Sequence, residues 1–429
     1  MSASHYELAC LECGRSYRDA DSGFFLSCPE HHRPSLLRAR YAERRLTIHG
    51  ENPGMFRYSD WLPVRRILKE ANGPICYESS GLGGYLKLDN LFIAFNGYWP
   101  EKGALLESGS FKELEANAVC ARVPSGESRR MVVSSAGNTG MAFLHVCTQN
   151  DVPVVVVVPE SALGSLWTTT ERSPLTTVAV LAGNVDYLDV IEAGKKLSEM
   201  ETFYPEGGAL NVARRDGMGT VLLSAVEHIG ELPSHYFQAI GSGTGGIAAW
   251  EMSLRLREDG RFGRHAKMKL HFVQNSPFTI MTDAWRLSLP ELPAVDERVS
   301  REQISSLYAQ VLSNRKPPYS IKGGVFDALT DTHGDMYSVS MKEAEEAGEL
   351  FQKLEGIDLH PAAQVALGGL IQAVRAGRIR RRESVLLNVT GGGSERLSRE
   401  EKKREVKPDV VIHPGDNIEE IVTRNLVRI

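Results

Sequence analysis

From about residue 60 onward, short apolar runs rich in β-branched residues alternate with longer stretches whose apolar positions recur at helical spacing. That alternation predicts an α/β fold with parallel sheets, since a parallel connection needs a crossover long enough to hold a helix. The clearest unit is "RRMVVSSAGNTGMAFLHVCTQNDVPVVVVVPES". It predicts a strand at Met131–Ser134, a glycine-containing turn, a helix at Thr139–Gln149, an Asn-Asp break and a buried strand at Val152–Val158. "SHYFQAIGSGTGGIAAWEMSLRLRE" repeats the order strand, glycine loop, helix, and "SVLLNV" (Ser384–Val389) predicts a strand that runs into Thr390 and three glycines. The proline-rich, polar stretch Pro290–Pro318 reads as an insertion or lid. Residues 1 to about 50 carry Cys, His and Arg with little apolar periodicity and read as a small appended module.

Composition narrows the class. The chain has 429 residues, 42% hydrophobic and 24% charged, as an ordinary globular protein of two or three domains has. Its formal net charge of −5 argues against a nucleic-acid partner. The basic clusters "RIRRRE" and "REEKKREVK" read as solvated surface. The longest apolar run, Val152–Val158, is too short to cross a bilayer, and no membrane partner is expected. "MSASHYELAC" lacks a signal-peptide layout, so a cytoplasmic location with reduced thiols is expected. Six cysteines in so long a chain make no disulfide framework. Cys10-x2-Cys13 followed by Cys28-x2-His31 has zinc-knuckle spacing with Cys3His ligation. Packing alone can also hold such a knuckle, so its metal is left open; an ion there would be structural.

The chemistry concentrates in three loops. In "ESGSFKELEA", Ser110 and Glu113 form a capping-box pattern that predicts a helix from Ser110. Lys112 then falls in the first turn, where the helix dipole disfavours an ammonium by about 0.3–1 kcal/mol. That spot is harmless for an exposed lysine, and suited to one that works as an imine or a neutral base. "GSGTGG" follows a strand and opens a helix, as an anion cradle does. It also spells G-x-G-x-x-G, but the next strand ends in Gln274-Asn275 without the carboxylate of a dinucleotide site, which favours an isolated phosphate group. "SSAGNTG" (Ser134–Gly140) offers hydroxyls, an amide and free N–H groups at a helix start, beyond what N-capping by Asn138 or Thr139 requires. Together these elements describe a pyridoxal phosphate site.

"GSFK", "SSAGNTG", "GSGTGG" and "NVTGGG", in that order and spacing, resemble the fold-type II pyridoxal phosphate enzymes, and most closely the threonine synthases. The resemblance spans nearly the whole chain and includes "NVARRDGMGT" and "EGIDLHPAAQVALGGL". It implies a tryptophan synthase β-like fold of two open twisted-sheet domains plus the N-terminal knuckle. We divide the chain into 1–50, a large cofactor domain at 51–125 and 215–429, and a small α/β domain at 126–214. The resemblance also implies Lys112 as the Schiff-base lysine and catalytic base, and Asn138 as partner of the ring 3′-oxygen. Gly241, Ser242, Gly243, Thr244 and Gly245 would be the phosphate loop, and Thr390 the hydroxyl facing the pyridine nitrogen. A homo-oligomer is usual in this superfamily.

Threonine synthases follow the lysine with Asp in a "SFKDR"-like run, whereas this chain has Glu113-Leu114-Glu115-Ala116. "FIAFNGYWPEKGALLESGSFKELEA" is instead similar to cysteate synthases, which convert O-phosphoserine and sulfite to cysteate and phosphate on a route to coenzyme M in methanogenic archaea. Threonine synthase, O-phosphoserine sulfhydrylase and a silent amino-acid-binding paralogue are the other readings. Arg214, Arg215, Lys316, Lys322 and His333 are candidate cations for the anionic substrates.

Overall fold

The computed structural model describes residues 5–426 apart from 20–22, 136, 264, 266 and 402. Two twisted sheets organise it. The larger has six strands in the order Asp335–Val339, Lys269–Asn275, His235–Ala239, Ser384–Val389, Asn90–Phe95 and Ile75–Glu78. All its pairings are parallel except the last, where Ile75–Glu78 runs antiparallel to Asn90–Phe95. The smaller has five parallel strands in the order Phe203–Pro205, Arg130–Ser134, Val154–Pro159, Thr176–Leu181 and Val410–Ile412. Every residue of Val154–Pro159, Thr176–Leu181 and Ser384–Val389 is buried. Helices cover both faces of such strands, so their sequences are continuous apolar runs rather than alternating ones.

The strand Val410–Ile412 corrects the sequence division, which gave all of 215–429 to the large unit. After completing the large sheet the chain returns and adds this strand beside Thr176–Leu181, in the register Ala179 to Val410. Apolar residues Val410 and Ile412 are buried there while Val411 faces outward. The returning segment also pairs Arg404–Glu405 with Trp167–Thr168. Lys403 lies 4.4 Å over the Trp167 ring, so part of the basic "REEKKREVK" cluster is docked.

Residues 1–50 are less separate than their texture implies. Tyr6–Cys10 pairs antiparallel with Ser16–Tyr17 on one side and Leu37–Tyr41 on the other. The face formed by Leu37, Ala39 and Tyr41 joins the core around the Val212–Ile229 helix. Polar groups tie it down. The Tyr41 hydroxyl donates to Asp216 at 2.6 Å, and Arg255 pairs with the same carboxylate at 2.7 Å. Glu251, buried, takes Arg215 at 2.8 Å and Arg38 at 3.2 Å.

The helix Lys112–Arg122 packs against the helices Asn138–Asn150 and Val212–Ile229, and residues 113–122 are all buried. It packs against Val212–Ile229 at Gly217, where a Cβ would fall 2.5 Å from the Leu114 carbonyl oxygen, so glycine there sets the spacing. A helix this buried carries charge only because each charge has a partner. Arg122 donates to Asp19 at 2.8 and 3.0 Å, to Asn211 at 2.8 Å and to the Phe25 carbonyl at 3.0 Å. Among the described residues no helix is long and apolar enough to cross a membrane.

Candidate active site

Three loops leave the carboxyl ends of parallel strands and converge on the start of the Lys112–Arg122 helix. Ligands of open α/β sheets bind at such strand ends. Ser135–Gly140 follows Arg130–Ser134, Gly241–Gly245 follows His235–Ala239, and Thr390–Gly393 follows Ser384–Val389. The turn bearing the lysine is sewn to the third loop. The Phe111 N–H donates to the Thr390 carbonyl at 3.0 Å, Gly392 N–H donates to Gly109 at 3.2 Å, and Ser110 bridges to Gly391. Phe111 also lies under the second loop: a Cβ on Gly245 would sit 3.0 Å from its ring and 2.5 Å from the Gln238 amide.

These ties overturn the capping-box expectation. The helix begins at Lys112, with Phe111 preceding it and no side-chain cap. Ser110 bridges to Gly391 and its buried hydroxyl makes no capping bond; Glu113 instead accepts from the Ser108 N–H at 2.7 Å. Lys112 is therefore the first helical residue, as its placement in the first turn requires. Its ammonium donates to Glu115 at 3.2 Å. Burial lowers its proton affinity, and Arg214 adds to that while Glu115 opposes it.

Glu115 is the hub of a buried charge cluster that the sequence reading did not reach. It accepts from Lys112 and from the Thr139 hydroxyl at 3.0 Å, and forms an ion pair with Arg214 at 3.1 Å. Arg214 continues to Glu206 at 3.0 Å. Burial works against the charge on Arg214, but the two carboxylates outweigh it and hold the guanidinium protonated. Burial also raises Glu206. The available signal was the run "ELEA" itself: a second glutamate three residues past the lysine lies on the same helix face.

Arg214 was one of five cations considered for anionic substrates, and it is committed to carboxylates. Arg215 is bound to Glu251 and to the Leu37 and Ala209 carbonyls, and Lys322 pairs with Asp327 at 3.1 Å. His333 ends the helix Val325–Thr332 in a left-handed conformation. Lys316 lines an open cavity of about 550 Å³ with Leu188, Asp189 and Arg315. Asp186 pairs with Arg301 and Arg315, and Asp189 with Arg301, tying the Pro290–Pro318 insertion to the start of the small sheet's helix Tyr187–Ser198.

The other site residues fit a bound cofactor. Asn138 opens the helix Asn138–Asn150 without capping it; Ser135 does that, accepting from Gly137 at 3.0 Å and Gly140 at 2.7 Å. Among the described residues neither the Asn138 amide nor the Thr390 hydroxyl has a hydrogen-bond partner, and the buried Ser110 hydroxyl has none either. Gly243, at φ +82°, precedes the helix Thr244–Asp259, whose N-terminus has no side-chain cap. Ser242 and Thr244 share a hydroxyl contact at 2.8 Å. Uncapped N–H groups at a helix start suit a phosphate. Cβ atoms on Gly241 and Gly243 would strike Leu312 (2.8 Å) and Val325 (2.3 Å), so these glycines serve close packing of the loop onto the fold.

Residues 87–391 match the family described as pyridoxal-phosphate dependent enzyme. The chain belongs to that family. Its cofactor is pyridoxal phosphate, and the fold is the type II fold of such enzymes. Within the family, the chain is 45% identical to the cysteate synthase of Methanosarcina acetivorans over 417 residues, covering 96% of this chain and 98% of that protein. It is 46% identical to the cysteate synthase of Methanospirillum hungatei, covering 97% and 96%. Maize serine racemase shares the fold at a TM-score of 0.57 and 13% identity, covering 76% of this chain and 90% of that one. Diaminopropionate ammonia lyase from Escherichia coli does so at 0.58 and 13%, covering 78% and 88%.

Proposed function

We propose that this enzyme is a cysteate synthase, which exchanges the phosphate of O-phospho-L-serine for sulfite and yields L-cysteate and phosphate, a step toward coenzyme M. Near full-length similarity to cysteate synthases at 45% identity carries the reading. Lys112 at the first position of a buried helix, with three loops converging on it, supports it. In this proposal Lys112 holds the cofactor and Asn138 meets its ring 3′-oxygen. Gly241, Ser242, Gly243, Thr244 and Gly245 take its phosphate, and Thr390 faces its ring nitrogen. Bound pyridoxal phosphate supplies an electron sink that makes the Cα proton of an amino acid removable.

The protein groups do the rest. Lys112, with its proton affinity lowered by burial, accepts the Cα proton. Glu115 positions its Nζ, and Thr139 and Arg214 position Glu115. Thr390 offers a neutral hydroxyl rather than a carboxylate, which leaves the nitrogen it faces less firmly protonated and favours prompt loss of a β substituent. The Cβ–O bond breaks with release of phosphate, the sulfur lone pair of sulfite forms the Cβ–S bond, and Lys112 returns the proton to Cα. A homo-oligomer is part of the same proposal, checked by light scattering.

The test offers phosphoserine or homoserine phosphate, each with and without sulfite, and identifies products by mass spectrometry. Equal amounts of phosphate and cysteate, from phosphoserine plus sulfite alone, are expected. Threonine from homoserine phosphate, or pyruvate from phosphoserine whatever the sulfite level, would overturn the proposal.

A further inference from the structure

The N-terminal sheet ends in a side-chain cluster that the reaction does not use. The Sγ atoms of Cys10, Cys13 and Cys28 and a ring nitrogen of His32 lie within 4.8 Å of one another. The sequence pattern pointed to His31 as the fourth member, but His31 is exposed and His32 turns inward. We propose that these four residues bind a structural Zn²⁺.

Spacing is the first argument. A tetrahedral ion with bonds of about 2.3 Å to sulfur and about 2.0–2.1 Å to nitrogen sets edges of about 3.8 Å between sulfurs and about 3.6 Å between sulfur and nitrogen. Cys13 Sγ and Cys28 Sγ are 3.7 Å apart, and Cys10 Sγ and His32 Nε2 are 3.4 Å apart. Two reduced thiols in plain van der Waals packing have no reason to meet a third thiol and an imidazole at those edges.

Orientation is the second. His32 Nδ1 lies 2.7 Å from the Arg33 carbonyl, so Nδ1 carries the proton and the Nε2 lone pair is aimed at the cluster. Backbone N–H groups point at each sulfur from two residues further on: Glu12 at Cys10, Arg15 at Cys13 and Glu30 at Cys28. On the Cys10 side the chain folds back, with Gly14 N–H donating to the Cys10 carbonyl at 3.0 Å.

With three sulfurs and one nitrogen the tetrahedron is closed, leaving no position for substrate, which makes the ion structural. Its reach extends to the active site through the loop it clamps. That loop carries Asp19 and Phe25, which hold Arg122 at the far end of the Lys112 helix.

The experiment uses the full-length holoenzyme, grown with added Zn²⁺ and dialysed, with metal measured by plasma mass spectrometry. About one zinc per chain is expected, released by a mercurial thiol reagent and detected with a chromogenic chelator. His32→Ala should lower the content at least tenfold, and His31→Ala should leave it unchanged. Cys13→Ser, at an exposed sulfur, should lose the metal while keeping bound pyridoxal phosphate and a lower melting temperature. Wild-type protein without zinc, zinc retained by His32→Ala, or zinc lost equally in His31→Ala would each overturn the proposal. The wild-type release measurement stands even if a variant fails to fold.

Discussion

Lys112 is a cation placed at the positive end of a helix, inside the protein, beside an arginine. Lys112→Ala should abolish the visible absorbance of the cofactor, and borohydride should label the wild type at Lys112; label on another lysine would refute the assignment. Glu115→Gln removes the nearer of the two carboxylates, Glu115 and Glu206, that favour the ammonium. The lysine should then lose its proton at lower pH, and the acid limb of the kcat profile should move to lower pH while borohydride still labels Lys112. Gly243→Val should weaken cofactor affinity, measured by titration of the apoenzyme. Its cause would be the clash with Val325 and the positive φ, which displace the loop. At this scale the sequence could propose residues by motif and by closeness in the chain: Lys112, Asn138, Thr390 and the glycines. It did not reveal Glu115 with Arg214, because their pairing depends on how two helices cross. Nor did it separate His31 from His32, since spacing leaves one residue of slack that only a folded turn removes.

Among the elements, long apolar runs were the legible ones. Ser384–Val389 falls where the apolar pattern places it, and the crossover around Asn138–Asn150 is displaced by a residue or two at its ends. Leu37–Tyr41 was missed although "LRARY" alternates cleanly, because five residues among arginines give too short a pattern. Its docking rests on Asp216, which satisfies both Tyr41 and Arg255. Asp216→Ala leaves a buried guanidinium unpaired and should cost about 3–5 kcal/mol in urea unfolding. The large sheet contains a second polar device. His235 Nδ1 meets His271 Nε2 at 2.8 Å, and His271 stacks on Phe237 at 4.2 Å. Burial is the main cause that lowers the proton affinity of both imidazoles; Glu383 only partly offsets it for His235, while the His235 and Lys269 charges add to it for His271. The unfolded chain binds protons that the fold refuses. Stability should therefore be full above about pH 6.5 and decline as pH falls below it. Urea midpoints at successive pH values would show this, with a shallower decline in His271→Asn.

Across the whole molecule, the α/β fold was readable from the glycine loops and crossover units, but the sheet that Val410–Ile412 joins was not. "PDVVIHP" is too short to announce which sheet it joins. Once joined, Val410–Ile412 covers one side of Thr176–Leu181, a strand with all six residues buried. Removing residues 408–429 should lower the melting temperature and the soluble yield, since an apolar strand edge invites pairing with other chains. There is also a consequence for biosynthesis. A ribosome delivers Arg130–Ser134, Val154–Pro159, Thr176–Leu181 and Phe203–Pro205 early, then makes every remaining strand of the large sheet before Val410–Ile412 emerges. The small sheet thus waits, one edge open, through the synthesis of some two hundred residues. During translation that edge is the natural landing place for a holdase chaperone, and it closes only once Val410–Ile412 has emerged.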